Sequence, residues 1–138
     1  MTTEELIKLI KESSCLEKFY TDVGDTLTNM TVSGYLEQLL NHHQMTKQSV
    51  IKQADFERAF GYQIFSGVRT PRRNALLRIA LVMQLSLEET QRLLKIGQRG
   101  ELYPKNRRDA AIIYCLINNV SLIDTEILLE DINEKLLK

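Results

Sequence analysis

Apolar residues recur at helical spacing along most of this chain, and short polar segments separate the apolar runs. Near the start, Leu6, Leu9 and Ile10 follow two threonines that can cap a helix, which predicts a helix over about 3–13. The next segment, about 21–34, is rich in Gly, Thr and Asp and predicts a loop or linker. No alternating apolar pattern is long enough to predict a strand. The expected fold class is therefore all-α.

Capping residues and turn formers predict where the following helices begin and end. Ser33 and Thr46 each stand before an apolar run, so each is expected to cap a helix, the second over 47–54. Asp55 predicts a turn, and can cap the helix after it, which ends near Phe65. Three further signals predict where helices downstream begin and end. Gly67 is expected to end a helix as a left-handed C-terminal residue, and Pro71 is expected at a first helical position. Ser86 and Glu89 are expected to form a capping box.

One stretch of sequence occurs twice. Residues 72–94 align without a gap on residues 107–129, at an offset of 35 and with 9 of 23 positions identical. A fixed period indicates one supersecondary unit used more than once. Each copy is predicted to be an αα-hairpin, and its apolar identities are those that packing requires.

Both copies begin with two arginines at a predicted helix N-terminus, Arg72–Arg73 and Arg107–Arg108. The helix dipole disfavours a cation there by about 0.3–1 kcal/mol. An anion bound at the same place would offset this cost, and helix N-termini bind phosphate well. The other explanation is that a nearby carboxylate, such as Glu88 or Asp109, balances the arginines. The sequence alone leaves both explanations open.

Charge is distributed unevenly, although the formal net charge is zero. Residues 1–46 carry 3 basic and 7 acidic side chains, residues 47–78 carry 7 and 2, and residues 79–138 carry 8 and 9. The excess of basic side chains over 47–78 is typical of a surface that binds a polyanion. A solvated basic face without a ligand would give the same pattern.

From Thr46 to Leu94, and more loosely back to Ser33, the sequence resembles the Cro/repressor-type (XRE) helix-turn-helix family. The best-fitting segment is GVRTPRRNALLRIALVMQLSLEE, with matches at Gly67, Arg69, Pro71, Leu76, Leu77, Ile79, Ala80, Ser86, Leu87 and Glu89. Upstream, the apolar family positions hold Val50, Phe56 and Ile64. The resemblance implies a five-helix repressor-like helix-turn-helix core. We expect this core over 31–97, an N-terminal helical arm over 1–30, and an additional αα-hairpin over 98–138 packed on the core.

The sequence departs from the family where the two helices of the motif face each other. The family usually has a small residue at the position of Ile51 and a β-branched residue at that of Gly61. Here the bulk is exchanged between the two positions. A swap that conserves volume is the change that cores tolerate best, so we expect the two residues to compensate for each other.

In this family the second helix of the motif lies in the major groove of DNA. The resemblance therefore implies that helix 56–65 reads base edges, with the outward residues Arg58, Ala59, Tyr62 and Gln63. Arginine suits guanine, glutamine suits adenine, and alanine can touch a thymine methyl group. Phosphate contacts are expected from Lys47, Gln48, Arg69, Arg72 and Arg73. Phe60 could pack beneath the helix or face the groove.

The expected function is a repressor-like, sequence-specific regulator of transcription that binds double-stranded DNA as a homodimer. The second hairpin is richer in apolar residues than its length needs: Ile112, Ile113, Leu116, Ile117, Leu122, Ile127, Leu128 and Leu129. It would form part of the dimer contact, or else complete the core of the monomer. The alternative function is a helix-turn-helix scaffold that binds another protein through 107–138, as an antitoxin or adaptor does.

Several other classes of protein find no support in the sequence. The common nucleotide-binding and protease motifs are absent, so an enzyme is not expected. Cys15 and Cys115 lack CxxC spacing, and His42–His43 is expected to stabilise a helix C-terminus, so neither metal nor cofactor is expected. An apolar run of about 18 residues and an export signal are both missing, which predicts a cytoplasmic protein without a membrane partner.

Overall fold

The structure, a computed structural model, describes residues 3–5 and 30–138. Every described secondary-structure element is a helix, as the apolar spacing predicts. Residues 3–5 are helical. The rest of the helix expected over 3–13 lies outside the described residues, as does most of the linker expected over 21–34.

Seven α-helices follow one another between Thr31 and Lys138. They are α1 (Val32–His42), α2 (Lys47–Gln53), α3 (Arg58–Ser66), α4 (Arg73–Met83), α5 (Leu87–Ile96), α6 (Arg107–Ile117) and α7 (Leu122–Asp131). Helix α1 contacts α3 and α5, and α2 contacts α3 and α4. Helix α6 lies against α4 and α5, and α7 lies against α4 and α6. Thr31–Lys138 is therefore one compact unit.

The core of Thr31–Lys138 is formed by aliphatic side chains from most of its helices. The largest side chains that are fully buried are Leu36, Ile64, Leu76, Leu77, Ile79, Leu81, Leu85, Leu93, Leu94, Ile112, Leu129 and Leu137. Phe65 is also buried, so its ring belongs to this core. None of the helices within the described residues has the length and apolar character that crossing a bilayer requires.

Three of the expected helix boundaries are present. The Thr46 hydroxyl accepts a hydrogen bond from the backbone N–H of Ser49 at 3.2 Å. Ser86 and Glu89 form the full capping box, in which each side chain accepts a bond from the other residue's backbone N–H. Gly67 ends α3 in the left-handed region, at φ 85°. These features follow from local sequence because each involves residues within one helical turn.

Three expected boundaries were wrong or incomplete. Thr31, not Ser33, caps α1, because the Thr31 hydroxyl accepts the bond from Gly34 N–H while Ser33 lies inside the first turn. Helix α4 begins at Arg73 rather than at Pro71. The Pro71 carbonyl instead accepts a bond from Arg99 Nε at 3.1 Å, a contact 28 residues apart that no local signal predicts. Asp55 has the expected left-handed conformation, but α3 has no side-chain cap.

One turn geometry joins three pairs of consecutive helices: α1 with α2, α4 with α5, and α6 with α7. Gln44, Gln84 and Asn119 occupy the left-handed region at φ 54°, 52° and 53°. The apolar residue after each one donates its backbone N–H to a carbonyl five residues earlier, and a Ser or Thr then caps the next helix. This is the Schellman way of ending a helix. The hairpin α1–α2 therefore shares its turn with the sequence repeat, although the alignment of the repeat does not include it.

The sequence repeat continues eight residues further in the structure. Of the aligned pairs over 95–102 and 130–137, only Leu102 and Leu137 are identical. The backbone N–H of each of these buried leucines donates at 2.7 Å to a side chain 11 residues earlier, Gln91 in the first copy and Glu126 in the second. Gln98 and Asn133, also 35 apart, are both left-handed. The backbone geometry thus persists where side-chain identity has been lost.

We expect Gln84→Gly to stabilise the protein. At φ 52° a residue with a Cβ atom is strained by about 1–2 kcal/mol, and glycine is not. Because glycine also gives the unfolded chain more freedom, the expected net gain is about 0.5–1 kcal/mol. Gln38→Gly, at an exposed position inside α1, is the matched control and should lose up to about 1 kcal/mol. Urea denaturation measures both, and a loss at Gln84 would contradict the prediction.

Candidate nucleic-acid interface

Helices α2 and α3 are joined by a short turn and pack closely against each other. An added Cβ atom at Gly61 of α3 would lie 2.5 Å from Cγ2 and 2.8 Å from Cγ1 of Ile51 on α2. Both residues are buried. The side chain of Ile51 thus fills the space that a larger residue at position 61 would need. This is the compensating contact that the sequence predicts.

The four side chains expected to read bases lie on α3 and are accessible to different extents. Arg58 and Ala59 are exposed, and Tyr62 and Gln63 are partly buried. The Arg58 guanidinium lies 5.8 Å from the centre of the Tyr62 ring, within cation–π range. Arg58 and Ala59 at the start of α3 are therefore open to a ligand, and Tyr62 and Gln63 in its second turn are less so.

The residues expected to bind phosphate divide into two groups. Lys47, Gln48, Arg69 and Arg72 are exposed. Arg73 is partly buried, and its guanidinium donates two bonds to the Asp109 carboxylate at 2.9 and 3.0 Å. It also donates to the carbonyls of Gly100 and Glu101. Four of the five N–H donors of Arg73 are therefore engaged within the protein, and we omit it from the interface.

Arg108, the equivalent of Arg73 in the second copy, is engaged in the same way. It donates to the carbonyls of Lys135 and Leu136 and to Asn74 Oδ1 at 3.1 Å. Asn74 and Asp109 are also 35 residues apart. Arg73 therefore bonds the residue that follows Arg108, and Arg108 bonds the residue that follows Arg73. The second arginine of each pair thus joins the two copies of the repeat. For these two residues, a partner within the protein explains the arginine better than a bound anion does.

An open groove runs beside the first turns of α3. Its lining residues are Asp55, Phe56, Glu57, Ala59, Phe60, Gln63, Arg69 and Arg78. The Phe56 and Phe60 rings meet edge to face at 5.4 Å between centres. Arg78 lies 4.7 Å from the centre of Phe56, and Arg69 lies 5.3 Å from that of Phe60. Phe60 therefore lines this groove of the protein surface.

Arg78 is a groove residue that the sequence did not indicate. It comes from α4 and donates a hydrogen bond from Nη2 to the carbonyl of Ala54, which ends α2. Burial lowers the pKa of Arg78, while the charges of Asp55 and Glu126 act in the opposite direction. Because these neighbours lie 23 and 48 positions away along the chain, only the tertiary structure could identify this residue.

Two carboxylates also border the groove, Asp55 and Glu57, and both residues are exposed. They reduce the positive potential that the local excess of basic residues suggests. The Asp55 carboxylate is paired with Lys138 Nζ at 3.2 Å, between two exposed groups. A pair this exposed adds little stability, but it brings a further cation to the turn between α2 and α3.

His42 and His43 lie at the C-terminal end of α1, as predicted. His43 Nε2 lies 3.1 Å from a carboxylate oxygen of Glu89. Burial raises the pKa of Glu89, but bonds from the Ser86 backbone N–H and from His43 outweigh it and leave the pKa lowered. The ring nitrogens and the carboxylate lie within 4.8 Å of one another. Because the Glu89 carboxylate already completes the capping box, the cluster has a structural explanation.

The hairpin α6–α7 contributes both to the core and to the surface. Ile112, Leu116 and Leu129 are buried, so part of the hairpin completes the monomer's core. Four other large side chains are more than half exposed: Tyr114, Ile117, Ile123 and Ile127. In the first copy, the residue equivalent to Tyr114 is Ile79, which is fully buried. The second copy thus leaves uncovered a position that the first copy covers.

Comparisons of the chain with protein-family models, with curated proteins and with solved structures found no match.

Proposed function

We propose that this protein is a sequence-specific DNA-binding regulator of transcription, in which α1–α5 form a repressor-like helix-turn-helix unit and α3 enters the major groove. One observation carries the proposal. The side chains expected to read bases lie along a single helix that packs tightly on α2, and the cationic side chains of Arg69 and Arg78 lie beside it, over the Phe60 and Phe56 rings. A rigid helix with polar side chains at its start is the element that reads base edges in this class of motif.

The basic residues retained in the interface are available for phosphate. Among the residues that the structure describes, Lys47 and Arg72 form neither a hydrogen bond nor an ion pair through their side chains. Arg69 has an Nε bond to Gln63 Oε1, and its terminal nitrogens have no such bond. Three cations therefore remain for phosphate oxygens on each protomer, which would fix the protein's position on the duplex.

The exposed apolar side chains of α6 and α7 support a homodimer. Ile123 is 73% exposed and Ile127 is 51% exposed, and in the first copy the equivalent residues are Glu88 and Arg92. A contiguous apolar surface usually marks an interaction site. Two protomers joined by α6–α7 would present two recognition helices to a symmetric operator.

The same apolar residues favour a second candidate function, in which the hairpin binds a different protein and α3 contacts little or no DNA. The two functions differ in how strongly binding depends on salt concentration. DNA binding releases condensed counterions, so the logarithm of its association constant falls linearly with the logarithm of salt concentration. A contact between apolar side chains depends only weakly on salt.

The test starts with selection of bound fragments from a genomic DNA library, followed by fluorescence anisotropy with the selected duplex at several salt concentrations. Three phosphate-binding cations predict a slope of about −3 per protomer. Arg72→Ala should weaken binding to all sequences alike and reduce the slope by about 1. Lys105→Ala, a change at an exposed lysine between the hairpins, is the matched control and should leave both unchanged. Failure to retain any fragment, or a slope near zero, would contradict the proposed function.

A further inference from the structure

Gln63 is held in one orientation by Arg69. The Arg69 Nε–H donates to Gln63 Oε1 at 2.9 Å, and the Arg69 backbone N–H donates to the Gln63 carbonyl at 3.1 Å. The guanidinium also lies over the Phe60 ring. Because arginine has donors and no acceptor, the glutamine amide must turn its oxygen toward Arg69.

This orientation changes what Gln63 can offer to a base. To bind adenine through two bonds, a glutamine must accept from N6–H with its oxygen and donate to N7 with its nitrogen. In this protein the oxygen already accepts from Arg69 Nε, which occupies one of its two lone pairs, while both Nε2 donors remain. The Arg69 terminal nitrogens line the same groove and are donors too. Gln63 and Arg69 together thus present mainly donors, with one acceptor position left on the amide oxygen.

We propose that Gln63 and Arg69 act as one unit that recognises guanine, and that Arg69 is a positioning residue for the Gln63 amide as well as a phosphate or base contact. Guanine presents two acceptors, O6 and N7, side by side in the major groove. Adenine presents one acceptor and one donor there, and its N6–H₂ would face donors. This inference rests on the proposed function, and it replaces the preference for adenine that the residue type alone suggests.

The experiment is selection from a pool of randomised duplexes, with the base frequencies compared among variants. The position read by Gln63 is the one at which Gln63→Ala loses its preference. The unchanged protein should select guanine there, by about tenfold or more over adenine. Arg69→Met removes the guanidinium but keeps an apolar stem beside Phe60. It should move the preference at that position toward adenine, because the amide oxygen becomes free.

Arg72→Met is the matched control, since it removes a neighbouring exposed cation that has no bond to Gln63. It should weaken binding without changing any base preference. Thermal unfolding of each variant checks that the surface substitutions leave the fold intact. Selection of adenine by the unchanged protein, or guanine retained in Arg69→Met, would overturn the Gln63–Arg69 inference and leave DNA binding standing. Recovery of no duplex at all would overturn the proposed function as well.

Discussion

Replacing Asp109 by alanine is expected to destabilise the unit Thr31–Lys138 by about 3–5 kcal/mol. The Asp109 carboxylate is nearly buried, with 9% of the side chain exposed, and it accepts two bonds from Arg73 and one from the Tyr103 backbone N–H. Removing it leaves the partly buried Arg73 guanidinium without its counter-charge. A loss this large is a substantial fraction of the stability of a typical domain.

The matched control is Asp124→Ala. Asp109 and Asp124 occupy the same place in their helices, three residues after the caps Asn106 and Ser121. Asp124 is exposed, so its loss should remove only a dipole interaction, worth about 0.3–1 kcal/mol. Urea denaturation of the three proteins gives the comparison. Equal losses for the two variants would show that the link between the repeats contributes little.

The lowered pKa of Asp109 also predicts how the stability of the protein depends on pH. Burial raises the pKa of this carboxyl, but hydrogen bonds from Arg73 and Tyr103, and the charges of Arg73 and Arg108, outweigh burial and leave the pKa lowered. A lowered folded-state pKa means that the stabilisation is fully present above the ordinary value. It is lost as the pH falls through the folded-state pKa, below about pH 4. Asp109→Asn, measured over the same range, should lose less stability on acidification than the unchanged protein.

Gly61→Ala is expected to destabilise the protein by about 1–3 kcal/mol, although alanine in place of glycine inside a helix normally gains up to about 1 kcal/mol. The new Cβ atom would overlap Cγ1 and Cγ2 of Ile51, both next to the branch point of a buried, stiff side chain. Neither atom can move aside cheaply. Gly100→Ala is the control, since an added Cβ atom there would meet nothing within 4 Å.

A double-mutant cycle separates this overlap from a general loss of packing. Ile51→Ala alone should cost about 2–5 kcal/mol, because it leaves a cavity. Combined with Gly61→Val it restores the volume in the arrangement usual for the family. The double variant should therefore be more stable than the sum of the single effects predicts, by about 1–3 kcal/mol. Strictly additive losses would remove the case for compensation between the two positions.

Local signals predicted the fold well wherever the stabilising bonds span one helical turn. The Ser86 capping box and the left-handed Asp55 and Gly67 are examples, because a few neighbouring residues determine each of them. The start of α4 was misplaced for the opposite reason. Pro71 can open a helix, but its carbonyl bonds Arg99, and such a contact leaves no local pattern in the sequence.

For the candidate interface, the sequence identified the side chains and the tertiary structure identified their partners. Arg72 and Arg73 are neighbours of the same type, yet Arg72 is exposed and Arg73 is bonded to Asp109. The sequence offered Asp109 as one possible carboxylate partner, and Asp109 is the partner of Arg73. The two residues are 36 positions apart, so only the packing of α4 against α6 brings them together. The groove with Phe60 and Arg78 has the same origin, since its members come from three segments of the chain.

By itself, the sequence determined that this protein is helical and that two hairpins repeat at a spacing of 35, and it predicted that a large Ile51 faces a small Gly61 across a turn. Each of these properties depends on periodicity, capping or the size of residues at fixed spacings, and short segments of the sequence are enough to show them. Only the tertiary structure decided which arginines stay free, which way the Gln63 amide points, and which apolar residues of α6 and α7 remain uncovered. Those outcomes depend on the direction of side chains in space, and that direction is set by neighbours far apart in the chain.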